Sequence, residues 1–185
     1  MANVILVHGL GGSPNENWFP WIKTELGKVG VKVIAPSFPN ANHPSLDEWF
    51  SAFSKYRKEI GENTILISHS LGCAFLLNFL ELWDKRVKAV FLVAGFTGLL
   101  SNIEVNSLIR GFSDRDFSWE HIREKSGMFY VLQSDNDPYV SIDKAVQLAL
   151  NLGVSVTLVR NAGHFNERSN YLKFPKLLEL VKKEI

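Results

Sequence analysis

Thr64-Ile65-Leu66-Ile67-Ser68-His69-Ser70-Leu71-Gly72-Cys73-Ala74-Phe75-Leu76-Leu77 decides the fold. Thr64–Ser68 is short and continuously apolar, which is how a strand covered on both faces reads. Leu71–Trp83 is longer and equally apolar, and reads as a buried helix. Only small or polar residues separate the two, so the chain must turn sharply from strand into helix. The same alternation runs outward in both directions. Upstream, Val4–Val7 and Val31–Ala35 read as strands. The spacing of Trp18, Trp21, Ile22 and Leu26 predicts a helix over Pro14–Lys28. Ser45 with Glu48 forms the pattern of a capping box, opening a helix that carries Leu46, Trp49, Phe50 and Phe53 and runs to about Ile60. Downstream, Lys88–Ala94, Met128–Gln133 and Val154–Val159 read as strands, and Ile142–Asn151 and Pro175–Lys183 as helices. Strand and helix alternating over a whole chain imply an α/β fold, with a mostly parallel sheet and helices on both faces.

The chain has 185 residues, one domain's worth, so residues 1–185 are expected to form a single domain. One stretch breaks the rhythm. Residues 96–126 separate two strands by a segment that holds one or two short helices, one of them near Ser118–Glu124. In an open α/β sheet such an insertion lies at the carboxyl ends of the strands, where ligands bind.

Lys and Arg number 20 against 19 Asp and Glu, a net charge of +1. That balance offers no field to attract nucleic acid or an anionic membrane, and no basic-aromatic patch suggests either partner. No apolar run approaches the ~20 residues of a membrane span, and the N-terminus lacks a signal-peptide pattern. One cysteine, Cys73, rules out an internal disulfide and a Cys-cluster zinc site. No His/Asp/Glu spacing matches a metal motif, so neither metal nor cofactor is expected. These features point to the cytoplasm.

Chemistry gathers at three places. Ser68-His69-Ser70-Leu71-Gly72, between strand and helix, has the context of a nucleophile elbow, with Ser70 as nucleophile and Ser68 where the pattern has Gly. In enzymes built on such an elbow the partners follow in the order nucleophile, acid, histidine. His164, in Gly163-His164-Phe165 after the last strand, is the histidine of His8, His43, His69, His121 and His164 that fits; His69 is expected to point elsewhere across the turn. Asp135 and Asp137 compete for the acid. Asp137 is preferred, because Pro138 biases it to extended geometry and Tyr139-Val140 opens the next helix at the right spacing. Asp135 suits a turn-closing role. The glycine-rich His8-Gly9-Leu10-Gly11-Gly12-Ser13 loop and the elbow would supply an oxyanion hole from the backbone amides of Leu10 and Leu71. His8 is expected to order that loop. Gly11, Phe96, Trp119 and Tyr139 are expected to touch substrate, and Cys73 to be a buried thiol.

These residues, together with Asn17-Trp18-Phe19-Pro20-Trp21 and Asp135-Asn136-Asp137-Pro138, give a chain that resembles the small serine hydrolases grouped with YdeN and retinoblastoma-binding protein 9. The resemblance covers nearly all of the sequence. It implies a minimal α/β-hydrolase fold without a large cap domain, and Ser70, Asp137 and His164 as a catalytic triad. The L-x-C-x-E segment that gives one member its retinoblastoma partner is incomplete, since Leu71-Gly72-Cys73-Ala74-Phe75 lacks the Glu. The expected activity is hydrolysis of small carboxylic esters, with amides or thioesters as variants, in an open, shallow pocket suited to short acyl groups. The expected partner is a small-molecule acyl substrate. The alternative is a binding or scaffold protein with little turnover, because fold does not fix function.

Overall fold

A computed structural model describes residues 2–185. Six parallel strands form one sheet: β1 (Asn3–Val7), β2 (Lys32–Ile34), β3 (Thr64–His69), β4 (Val87–Val93), β5 (Ser126–Ser134) and β6 (Val156–Val159), in the order β2-β1-β3-β4-β5-β6. The central strands are sealed: every residue of β3 is buried, as is all of β4 except Lys88. That explains their continuous apolar reading, since neither face meets water.

Seven helices cover the sheet: α1 (Phe19–Gly27), α2 (Leu46–Ser54), α3 (Leu71–Leu82), α4 (Ile103–Ser113), α5 (Trp119–Glu124), α6 (Ile142–Leu152) and α7 (Pro175–Lys183). Two separate apolar cores result. Trp18, Phe19 and Ile22 pack with Phe174 and Leu177 of the α7 region on one face. Trp49, Phe53, Phe75, Phe112 and Leu148, from α2, α3, α4 and α6, pack on the other. Phe38 stacks on Trp49 at 4.5 Å, and Phe75 meets both edge-on, so a cluster of aromatics anchors α2 to α3.

Helix boundaries differ from the sequence expectation in two places. The first helix starts only at Phe19, because Asn17 takes φ 56° and Pro20 stands at the first turn. Helix α2 stops at Ser54 and gives way to a 3₁₀ turn at Arg57–Glu59. The capping box at Ser45 does not form: its side chain makes no cap hydrogen bond, and Glu48 instead accepts from Asn40 Nδ2 at 3.0 and 3.2 Å. Residues 96–126 fold as α4, α5 and the start of β5, a small elaboration lying against α3. No large cap covers the sheet, and no helix among the described residues is long and apolar enough to cross a membrane.

Candidate active site

Parallel pairing brings the loops after β1, β3, β4, β5 and β6 to one edge of the sheet. The turn after β3 is the tightest. Ser70 holds φ 55°, ψ −125°, a conformation that L-residues adopt only under constraint. Two hydrogen bonds and the start of the helix impose it. The Ser70 amide donates to the Val93 carbonyl (2.9 Å), Cys73 N donates to Ser70 O (2.9 Å), and α3 begins at the next residue. Gly72 is forced by its surroundings: a Cβ there would lie 2.5 Å from the His8 carbonyl oxygen and 2.7 Å from that of Val7. Ser68 costs the turn nothing visible. Its hydroxyl donates toward the Phe91 carbonyl (3.3 Å) and also lies 3.2 Å from Cys73 Sγ. Burial pushes the Cys73 thiol up to about 12, consistent with an inert core thiol.

The strain places Ser70 Oγ 3.0 Å from His164 Nε2, and His164 Nδ1 stands 2.8 Å from Asp137 Oδ2. The carboxylate can only accept, so Nδ1 carries the proton and Nε2 is free to accept from the Ser70 hydroxyl. The Asp137 side chain is 1% exposed. Burial alone would raise its pKa. The hydrogen bond and charge of His164, with the amides of Tyr139 (2.9 Å) and Val140 (3.1 Å) donating to Oδ1, outweigh that and hold the carboxyl below its ordinary range.

Asp135 stands elsewhere, and its work is visible. Ser134, Asp135 and Asn136 use their side chains to accept the backbone amides of Ala162 (3.1 Å), Asn161 (2.7 Å) and Gly163 (2.8 Å). Three consecutive side chains thus tie the loop that carries Asp137 to the loop that carries His164.

On the other side of Ser70, the β1 loop lies directly against the elbow. A Cβ on Gly9 would fall 2.9 Å from Ser70 Cβ and 3.2 Å from Leu71 N, so only glycine leaves that space open. Gly11 N donates to Ala41 O (2.7 Å) and Gly12 N to Gly9 O (3.1 Å), while the amides of Leu10 and Leu71 make no hydrogen bond within the described residues. His8 orders this loop: Nδ1–H donates to Gly9 O (3.0 Å), and Nε2 accepts from Phe38 N (3.2 Å). Burial lowers its pKa and keeps it neutral.

His69 is the residue whose place the sequence does not reveal. It does not turn away from the site. Its Nε2–H donates to the His164 carbonyl at 2.8 Å, and the two rings lie 4.8 Å apart. Burial, then the nearby His164, lower its pKa to about 3, so it is a neutral positioning group. The motif flags residue 69, but its partner is 95 residues away in sequence, and no local signal reports that contact.

A cleft of about 650 Å³ opens above Ser70, within the usual range for small-molecule sites. Leu10, Gly11, Phe96 and Tyr139 line it, and the Tyr139 ring meets that of His164 edge-on at 5.0 Å. Trp119 does not line it. It packs on Phe117 (5.3 Å) against the core, because α5 packs on α3, α6 and β5. The cleft is also larger than a shallow groove: the 96–126 segment folds back, and Leu100, Val105 and Ile109 become its far wall.

With this geometry in view, the comparisons with known proteins are specific. Residues 4–183 match the family described as serine hydrolase. The chain is 30% identical over 180 residues to YdeN of Bacillus subtilis (strain 168), covering 96% of this chain and 93% of the relative. Superposition on the crystal structure of the B. subtilis ydeN gene product gives a TM-score of 0.91 at 28% identity, over 100% of this chain and 98% of that one. A YdeN-like structure from Pectobacterium atrosepticum shares the fold at a TM-score of 0.74 and 19% identity, covering 100% and 90% of the two chains. The chain therefore belongs to the serine hydrolase family, on an α/β-hydrolase fold.

Proposed function

We propose that this protein is a serine esterase that hydrolyses small carboxylic esters through an acyl-enzyme on Ser70. The observation that carries the reading is the continuous relay Ser70 Oγ–His164 Nε2–Asp137, at 3.0 and 2.8 Å. In it, His164 takes the Ser70 proton as Oγ attacks the acyl carbonyl, and returns it to the leaving oxygen as the ester bond breaks. Asp137 holds the imidazole tautomer and stabilises the imidazolium. The unengaged amides of Leu10 and Leu71 receive the oxyanion, each such donor worth about 2.7–4 kcal/mol. His69 stays neutral and so adds no positive charge beside the imidazolium that must form. Water, activated by the same His164, then cleaves the acyl-enzyme. The reaction needs neither metal nor cofactor, and a cytoplasmic setting suits a chain whose one thiol is a buried core residue.

A fluorophosphonate probe tests the nucleophile. It is expected to modify wild-type protein at Ser70, and Ser70→Ala is expected to lose both labelling and p-nitrophenyl acetate hydrolysis, the latter by about 10⁶ in kcat. Labelling that survives the substitution, on protein with an unchanged circular dichroism spectrum, assigns the nucleophile elsewhere.

A further inference from the structure

We infer that the wall built by the 96–126 segment is an acyl subsite, so that the preferred substrates carry an extended apolar acyl chain and a small or polar leaving group. The inference rests on the esterase reading above and deepens it.

The two walls of the cleft differ in chemistry and lie over opposite faces of the sheet. Phe96, Leu100, Val105, Ile109 and Val140 belong to or pack on the core that contains α3 and α4, and the segment adds Ser101 and Asn102 to the lining as its polar members. Glu16, Asn17, Asn166, Glu167 and Arg168 form the other wall, beside the core that contains Phe165 and Phe174. The tetrahedral intermediate assigns them. Of its four substituents, one is Ser70 Oγ and one is the oxyanion, held at Leu10 N and Leu71 N. The leaving oxygen must sit within reach of His164 Nε2, since that atom protonates it. His164 and its continuation Asn166-Glu167-Arg168 form the polar wall, so the leaving group faces it. The acyl chain is left with the remaining direction, toward the apolar wall.

That wall is a built surface rather than a loose loop. Asn106 clasps Leu100 from both sides: its Oδ1 accepts from Leu100 N and its Nδ2 donates to Leu100 O, each at 2.8 Å, and the side chain is buried. Asn102 caps α4 by accepting from Glu104 N (2.9 Å) and Val105 N (3.2 Å). Ser113 Oγ donates to Gly98 O (2.9 Å) and closes the segment on itself. Asn78 of α3 donates to Phe112 O (2.8 Å) and accepts from Arg115 (2.8 Å), which also pairs with Glu81 at 2.6 Å. Leu100, Val105 and Ile109 are therefore held in place facing Ser70 before any substrate arrives. A fixed apolar surface gains roughly fourfold in kcat/KM for each methylene it removes from water.

Isomeric esters test this without changing overall hydrophobicity: ethyl hexanoate extends on the acyl side, hexyl acetate on the alcohol side. Wild-type protein is expected to prefer ethyl hexanoate by at least roughly tenfold in kcat/KM. Val105→Trp, which fills the subsite from a half-exposed position, is expected to bring that ratio close to one. Leu100→Asn, which makes the wall polar without adding bulk, is expected to lower it in the same direction. Labelling of each variant by a small fluorophosphonate reports that Ser70 is still presented. Equal turnover of the isomers by labelled wild type, a preference for hexyl acetate, or a ratio that both variants leave intact overturns the subsite alone. Absence of labelling together with absence of turnover of either ester overturns the esterase reading, and the subsite with it.

Discussion

The elbow and the 96–126 segment face each other across one cleft, yet they are held by different means. At the elbow the constraint is largely steric, added to two backbone hydrogen bonds. Ser70 is pressed into φ 55°, and Gly72 and Gly9 each stand where a single added carbon meets backbone. Across the cleft, side-chain hydrogen bonds from Asn78, Asn102, Asn106 and Ser113 add to the packing of Ile109 and Phe112, and Gly111 has open space beside it. A steric frame tolerates no variation, whereas a hydrogen-bonded frame can be rebuilt with other partners. The first suits the chemistry, the second the choice of substrate.

Three measurements press on that contrast, the largest effect first. On the elbow side, Asp137→Asn is expected to lose about 10⁴ in kcat with folding retained, since Asn stabilises the wrong imidazole tautomer. Asp135→Asn, which still offers an oxygen to the Asn161 amide, is expected to lose less than about tenfold. Initial rates of the two folded variants on p-nitrophenyl acetate decide it; the reverse ranking moves the acid to Asp135.

Next, the same substitution on the two sides should have opposite signs. Gly72→Ala drives a methyl group into the His8 and Val7 carbonyls and is expected to destabilise by about 3 kcal/mol, displacing the β1 loop as well. Gly111→Ala, within α4, meets nothing within 4 Å and is expected to stabilise by about 0.5–1 kcal/mol through helix propensity. Urea midpoints at neutral pH measure both. Equal signs would mean that the two sides are framed alike.

The smallest effect concerns acid. Burial holds His69 at about 3 in the folded protein, against about 6.5 for the unfolded chain. Between those values the unfolded state binds the extra proton, so this contribution is complete above pH 6.5 and falls away as the pH drops toward 3. At pH 5 the loss is about 2 kcal/mol. His69→Gln, which retains an N–H donor for the His164 carbonyl, is expected to show a smaller drop in urea midpoint between pH 7.5 and pH 5. An equal drop in both proteins places the proton elsewhere.

The same contrast explains what could be read from the sequence. The elbow is legible because its requirements are local: a strand, small residues around a serine, and a helix, all within one run. The positions of Asp137 and His164 follow from chain order and from the spacing before Val140. The insertion is legible as an interruption with a short helix near Ser118–Glu124, which α5 matches, and as a neighbour of the ligand-binding edge, but not in the way it packs. The contacts that hold the C-terminal end of α4 and the turn after it come from Asn78 and Glu81 on another helix, out of reach of any local pattern. Trp119 lies outside the cleft for the same reason: an aromatic in an insertion can face either way, and α5 packs on α3, α6 and β5. The capping box failed because Asn40, outside the helix, claimed Glu48. His69 stood inside the recognised motif, yet its direction depended on a loop at the far end of the chain.

The ties between Ser134-Asp135-Asn136 and Asn161-Ala162-Gly163 carry a consequence for the energetics of turnover. They make the acid-bearing and base-bearing loops one body, so that ordering the pair is a single cooperative event, completed when the chain folds. In the proposed mechanism, substrate binding then spends no conformational entropy in bringing Asp137 to His164, and the dipoles around the imidazolium need no reorganisation as charge develops. On that mechanism the exposed Asp135 and Asn136 side chains would lower a barrier they never touch.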